Sequence, residues 1–324
     1  MCIRDSIYAA YTGYDEIAHH FGADSHEALR ALRGIDKQIR QIDRIRQLYT
    51  QHQYDLYIIS DHGMTNSLPF LWAYGQTLEQ FLAEHTGQEV ESSEVPGESE
   101  GQPEARVQFL LEEIRGLEER PHSPLSAHLL RATRERLEAR LLAEAMGSEW
   151  DLSRRGSIAV RNSGSLSHVY FDVTARPMDL SEVALIYPSL LGALISHEGI
   201  GLVVGRDGED VVIAGRNGTL RFGPTERRLE GQDPLEGLSD PRWAAEQVAR
   251  VARFPHAGDL ILLGAMDGER VICFEEQVAS HGGLGGAQGW PFLACPAGGG
   301  LGGRGIENSE EVYTRLLRVY GDYQ

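Results

Sequence analysis

The sequence predicts a mixed α/β protein, a sheet flanked by helices with a separate α+β region inserted into it. Three observations carry this. The apolar run Tyr57, Ile58, Ile59 ends abruptly in Asp61, His62 and Gly63, and in open α/β sheets ligands sit beyond such strand ends. A long amphipathic helical pattern separates this run from an earlier one over residues 7–14. From residue 157 to residue 222 the helical pattern gives way to short alternating runs with turn signals between them.

Taken in order, Ile7 to Tyr14 reads as extended, and Asp15 and His19 follow at i, i+4 spacing. That spacing places a carboxylate and an imidazole on one face of a helical turn, a pairing suited to a divalent metal. Leu29, Leu32, Ile35, Ile39, Ile42, Ile45 and Leu48 then recur every three or four residues, which predicts a helix. Asp24 with Glu27 fits a capping box at its start. Asp36 and Asp43 alternate with Lys37, Arg40 and Arg44 on its solvated face. This helix is expected to join two consecutive parallel strands in a right-handed crossover. Gly63 supplies the freedom for the chain to turn as it presents Asp61 and His62.

Residues 87–104 are acidic and rich in Gly, Ser and Pro, and read as a flexible excursion. Residues 126–147 carry Leu129, Leu130, Leu137, Leu141 and Leu142 on one side of a helical pattern that Gly147 ends. Two strands are expected around Asn162-Ser163-Gly164, a helix from Asp179 or Ser181, and hairpin turns at Asp207-Gly208 and Asn217-Gly218. Residues 258–276 read as a hairpin with Asp267-Gly268 at its tip, returning the chain to the main sheet and presenting His281 in a glycine-rich loop. An amphipathic helix closes the chain over residues 307–321.

The net charge of −18 argues against a nucleic-acid or anionic-membrane surface. A phosphate-ester substrate stays compatible with it, because bound divalent ions reverse the local field. The sequence shows no run approaching 18 apolar residues, hence no transmembrane helix. Three cysteines form no disulfide framework, and Cys273 and Cys295 lie in apolar runs as small core residues.

The motif order Asp15-x-x-x-His19-x-x-Gly22, then Ser60-Asp61-His62-Gly63-Met64, then the distant His281-Gly282-Gly283 resembles the alkaline phosphatase superfamily. Its type I phosphodiesterase/nucleotide pyrophosphatase branch is the nearest in pattern. The resemblance implies a partial alkaline-phosphatase-like sheet flanked by helices. It implies two divalent ions, zinc in most members and manganese in some. Asp15, His19 and His281 would hold one ion, and Asp61 and His62 would help hold the other. The family's second ion also uses an upstream Asp and a Thr or Ser nucleophile, and fourteen residues before Asp15 leave no room for them. No catalytic nucleophile is therefore assigned within the chain, which is expected to be the carboxyl-terminal portion of an enzyme. The leader Met1-Cys2-Ile3-Arg4-Asp5-Ser6 resembles a translated sequencing adapter, as in an incomplete metagenomic gene, and is set apart from the fold.

The expected organisation is a leader at 1–6, a first metal-binding core segment at 7–85, an acidic and helical insertion at 86–150, an α+β accessory region at 151–255, and a return to the core at 256–324. The expected function is phosphodiester or phosphomonoester hydrolysis, on a small-molecule, lipid or nucleotide phosphate ester. A metal-binding module without catalysis and a superfamily phosphomutase are the other readings. Asn162 is a candidate substrate contact, while His168 reads as a polar strand residue. The resemblance favours an extracytoplasmic or membrane-associated enzyme, with any anchor lying upstream of the chain given.

Overall fold

The run Leu260–Gly264 is apolar or glycine at every position, and such a strand needs cover on both faces. A computed structural model of the protein describes residues 7–48, 54–94, 158–174, 176–297, 301 and 306–320. In chain order the elements begin with α1 (Gly13–Phe21), α2 (His26–Leu48), β1 (Ile58–Ile59) and β2 (Thr65–Pro69). Then come α3 (Phe70–Tyr74), α4 (Leu78–Thr86), β3 (Val90–Glu94), β4 (Ile158–Ser163), β5 (Leu166–Phe171), α5 (Leu180–Ile186) and α6 (Leu190–Ser196). Next are β6 (Ile200–Asp207), β7 (Asp210–Gly215), β8 (Gly218–Phe222), β9 (Arg227–Gly231), α7 (Pro241–Ala252) and β10 (Leu260–Gly264). The last are β11 (Met266–Asp267), β12 (Arg270–Cys273), β13 (Ala279–Ser280), β14 (Leu293–Ala294) and α8 (Ser309–Tyr320).

The protein is mixed α/β. Its largest sheet has eight strands in the order β3-β4-β5-β10-β6-β7-β8-β9. Only the β3–β4 pairing is parallel. β10 sits inside this sheet, buried at all five positions. Its alternate residues build two cores, as strand geometry requires. Leu260 and Leu262 face one core with Phe70, Leu78, Leu82 and Leu190. Ile261 and Leu263 face the other, which α7 covers with Ala245, Val248 and Ala249. A four-stranded sheet, β11-β12-β2-β13, and the pair β1-β14 lie beside it. The four-stranded sheet positions the candidate site. β2 follows the Asp61–Gly63 turn directly, and β13 runs antiparallel to it with Ser280 opposite Thr65. That register sets His281 beside His62.

The structure differs from the sequence reading in four places. Residues 7–12 form no strand, and Ile7 and Tyr8 are 79% and 92% exposed, with no strand paired to them among the described residues. β1 accordingly pairs antiparallel with β14, so the expected parallel crossover does not form among the described residues. Helix α2 starts one residue later than the Asp24 cap requires. Ser25 Oγ accepts the Ala28 N–H at 3.1 Å, while Asp24 accepts from Asn66 Nδ2. Within the acidic stretch, Val90–Glu94 is a strand, because the edge of β4 offers an unpaired ladder and Val90 packs on the adjoining core. Finally, residues 258–276 do not make one hairpin. β10 joins the large sheet, and only β11 and β12 pair across Asp267-Gly268, with β12 running parallel to β2. The turns at Asp207-Gly208 and Asn217-Gly218 do connect antiparallel neighbours. The leader at 1–6 and the helical pattern at 126–147 lie outside the described residues.

Helix α2 forms as the periodicity requires, yet only Ala28 on it is buried. Leu29, Leu32, Ile42, Ile45 and Leu48 remain exposed. Replacing Ile45, 64% exposed, by Glu should change stability by no more than about 0.5 kcal/mol, the range of ordinary surface changes. Urea unfolding checks this, and a loss above about 2 kcal/mol would mean the stripe is covered in solution.

Candidate metal centre

Three segments far apart in sequence converge on one carboxylate. Helix α1 carries Asp15 and His19 one turn apart, with His19 in its last turn. The backbone there is tied to β13: Val278 N–H donates to His19 O at 2.8 Å. The turn after β1 supplies Asp61 and His62. The residue after β13 is His281. Asp15, His62 and His281 bring one ligand atom each within 4.8 Å of one another. His19 Nε2 lies 3.3 Å from Asp15 Oδ2, and His281 Nε2 lies 3.6 Å from Asp15 Oδ1. The His62 and His281 rings stack at 3.6 Å with 15° between their planes, and the His19 ring centre is 5.1 Å from that of His281.

Backbone carbonyls fix two of these imidazoles. His19 Nδ1 is 2.8 Å from Ala279 O, and His62 Nδ1 is 3.0 Å from Gly63 O. A carbonyl only accepts, so each Nδ1 carries the hydrogen, and each neutral ring then presents its Nε2 lone pair. For His19 that lone pair faces Asp15 Oδ2. Such an arrangement is satisfied by a proton or by a cation. Carbonyl orientation of the far ring nitrogen is the usual support of a metal-ligating histidine.

Among the described residues, Asp61 contacts the cluster at His62. Its Oδ1 accepts the His62 N–H at 3.0 Å, its Oδ2 is 3.6 Å from His62 Nε2, and its side chain is 87% exposed. Asn162 lies elsewhere, on β4. It is buried, its Nδ2 donates to Glu79 Oε1 at 2.7 Å, and its Oδ1 has no hydrogen-bond partner. His168 is half-buried on β5, and its Nδ1 accepts from Gly258 N–H at 2.9 Å.

The electrostatics follow from one carboxylate among three imidazoles. Burial alone would raise the Asp15 pKa. The His19 hydrogen bond and the charges of His19, His281 and His62 outweigh burial and hold the carboxyl below its ordinary range. Burial likewise opposes charge on His19, but the Asp15 and Ala279 contacts raise its pKa overall. His281 is pushed down to about 4, chiefly by burial and then by the charge of His62. It therefore keeps its lone pair at neutral pH.

This has a stability consequence when a chelator is present. An unfolded histidine titrates near pH 6.5 (about the reference value), and folded His281 near 4. Between those values the unfolded chain binds a proton that the folded chain does not. The stability contributed by neutral His281 is complete above the upper value and is lost as pH falls through the window. His19 acts oppositely: with its pKa raised, its share is present below the unfolded value and is lost as pH rises through the folded one. His281→Leu should flatten the acid side of the profile, read as urea midpoints from pH 7 down to pH 4. An unchanged slope would place the His281 proton elsewhere.

The residues fit a divalent cation. Asp15 Oδ1 is buried with no hydrogen-bond partner, a costly state for a carboxylate oxygen unless a cation meets it. Imidazole and carboxylate donors together suit zinc and similar borderline metals. The sequence reading named all five cluster residues but had no signal for the two carbonyls that orient them.

Comparison with known families finds that residues 2–162 match the model of type I phosphodiesterase / nucleotide pyrophosphatase. That span includes Asp15, His19, Asp61 and His62, while His281 reaches the cluster from outside it. No curated protein and no solved structure matches the chain.

Proposed function

Because residues 2–162 belong to the type I phosphodiesterase / nucleotide pyrophosphatase family, a hydrolase family whose members are usually metal-dependent, we propose that this chain carries the metal-holding part of a phosphoester hydrolase. The observation that carries the reading is the buried, unpartnered Asp15 Oδ1 facing His281. Asp15, His19 and His281 would hold one divalent ion. Asp61 and His62 would serve a second, with His62 stacked on His281 at the border between the two sets. Zinc suits the imidazole-rich set best.

Bound divalent ions supply charge stabilisation at a phosphoryl oxygen and a lowered pKa for an attacking hydroxyl or water. The chain's own residues do the rest. Asp15 balances positive charge at the centre. Ala279 O and Gly63 O hold the protons on Nδ1 of His19 and His62, so that Nε2, which faces a carboxylate in each case, is the nitrogen that would meet a cation. His281 stays neutral because it is buried. The Thr or Ser hydroxyl of a covalent phosphoryl transfer belongs, in this reading, upstream of Asp15 in the reacting protein. The substrate class is a small-molecule, lipid or nucleotide phosphate ester, and the −18 charge disfavours a nucleic-acid chain.

The test is zinc content by elemental analysis alongside hydrolysis of a chromogenic phosphate ester, for this chain and for a version extended at its amino terminus. Metal bound by both, with turnover near background in the chain alone and substantial in the extended protein, supports the reading. Robust turnover by the chain alone would overturn the upstream nucleophile. Absence of bound metal from both proteins would overturn the metal centre.

A further inference from the structure

The loop from His281 to Gln288 contains four glycines, and three of them, Gly282, Gly285 and Gly286, take positive φ. Such a segment has little side-chain packing of its own to define its path, and it loses much conformational freedom on ordering. Something must hold it, since it carries a ligand of the proposed metal centre. Gln288 is 4% exposed and lies in the 3-10 turn that ends the loop.

We propose that Gln288 is the positioning residue of the metal centre, fixing the loop that carries His281 against the turn that carries His62. The inference rests on the metal reading above and deepens it. Six hydrogen bonds meet at this residue. Its backbone N–H donates to Thr65 Oγ1 at 2.8 Å, and its backbone carbonyl accepts the Gly63 N–H at 3.0 Å. Its side-chain Oε1 accepts from Gly283 N–H at 3.0 Å and from Ser165 Oγ at 3.2 Å. Its Nε2 donates to Gly285 O at 2.9 Å and Leu284 O at 3.1 Å.

Both lone-pair directions and both amide hydrogens of the side chain are thus used. The amide can be neither flipped nor replaced by a carboxylate without setting like against like, because Leu284 O and Gly285 O accept only. The bonds join three bodies: the Gly63–Thr65 segment just after His62, the loop two residues beyond His281, and Ser165 in the turn that joins β4 to β5 of the eight-stranded sheet. Contact is close, since a Cβ on Gly63 would meet Ala287 O at 2.0 Å. The large sheet therefore serves as the reference against which His62 and His281 are held.

The experiment compares the 324-residue chain with Gln288→Met, which keeps the bulk and removes the side-chain hydrogen bonds, and with Ser165→Ala, which removes only the tie to the large sheet. Three quantities are read: zinc affinity by chelator competition, the visible spectrum of the cobalt-substituted protein, and amide hydrogen exchange. Partners that orient ligands are worth about 10–100-fold in metal affinity. Gln288→Met should lose that much, with an altered cobalt spectrum and exchange at 281–289 at least about 10-fold faster, while β6 and β10 exchange as before. Ser165→Ala should lose about 5-fold, the equivalent of one hydrogen bond of about 1 kcal/mol. Unchanged zinc affinity and cobalt spectrum in Gln288→Met would overturn the proposal. If that variant fails to fold, an unchanged Ser165→Ala overturns it. Failure of the parent chain to bind zinc would overturn the metal reading itself, and loop exchange would then decide whether Gln288 holds His281 in place.

Discussion

Asp15→Asn should lower zinc affinity by more than about 100-fold, exceeding what the loss of an orienting partner causes. The amide keeps the shape of the carboxylate and removes its charge. Both His19 and His281 approach Asp15, at 3.3 and 3.6 Å. Its Oδ1 is buried without a hydrogen-bond partner, so no other donor waits to take up the amide. The same change should return the His19 pKa toward its ordinary value, because the Asp15 contact is the leading factor that raises it against burial. Dialysis against zinc followed by elemental analysis reads the first effect, and NMR titration of the imidazole protons reads the second. Retained stoichiometric zinc would move the centre away from Asp15.

The largest expected loss of stability comes from Asp259→Ala, about 3–5 kcal/mol, the cost of leaving buried polar groups unpaired. Asp259 is 6% exposed and lies just before β10. Its carboxylate accepts Phe171 N–H at 2.8 Å and Met178 N–H at 2.7 Å, pinning both ends of the segment that leads from β5 to α5. Arg206 lies 3.9 Å away. Burial raises the Asp259 pKa against the two backbone donors, so the carboxylate is held there by geometry at some electrostatic cost. Truncation leaves the amide hydrogens of Phe171 and Met178 without their acceptor, and Arg206, which keeps its bond to Gly258 O, without its carboxylate neighbour. Urea unfolding at neutral pH measures the effect. A loss below about 1 kcal/mol, in the range of a surface change, would show that water replaces the carboxylate and that the 171–178 segment is not pinned.

What was legible in the sequence was local chemistry. Asp15 and His19 at i, i+4 do share a helix, and Asp61-His62-Gly63 does turn at the end of a short strand. The hairpin turns were legible because Asp-Gly and Asn-Gly favour one backbone geometry. Partner choice was not. Nothing in the composition of residues 270–280 says that β12 and β13 flank β2, because pairing register depends on the strands available nearby. Val90–Glu94 was hidden by its acidic neighbours, although its edge position suits a polar strand. Gln288 had no signal at all. A single amide among glycines has neither periodicity nor motif, and its importance comes entirely from three segments meeting around it. The stripe on α2 shows the converse, since a clear amphipathic pattern fixes a helix without fixing what covers it.

The convergence of α1, the Asp61–His62 turn and the end of β13 also dictates the order of events during synthesis. About 220 residues separate His62 from His281. At roughly 5–20 residues per second, that is roughly 10–45 s of translation. Throughout that interval the nascent chain displays Asp15, His19 and His62 without the strand that brings them into register, since β2 gains both its neighbours only when β12 and β13 emerge. In the proposed centre, a metal captured early would meet an incomplete set of donors and would exchange freely, so selection of the ion would wait for β12 and β13 to join β2.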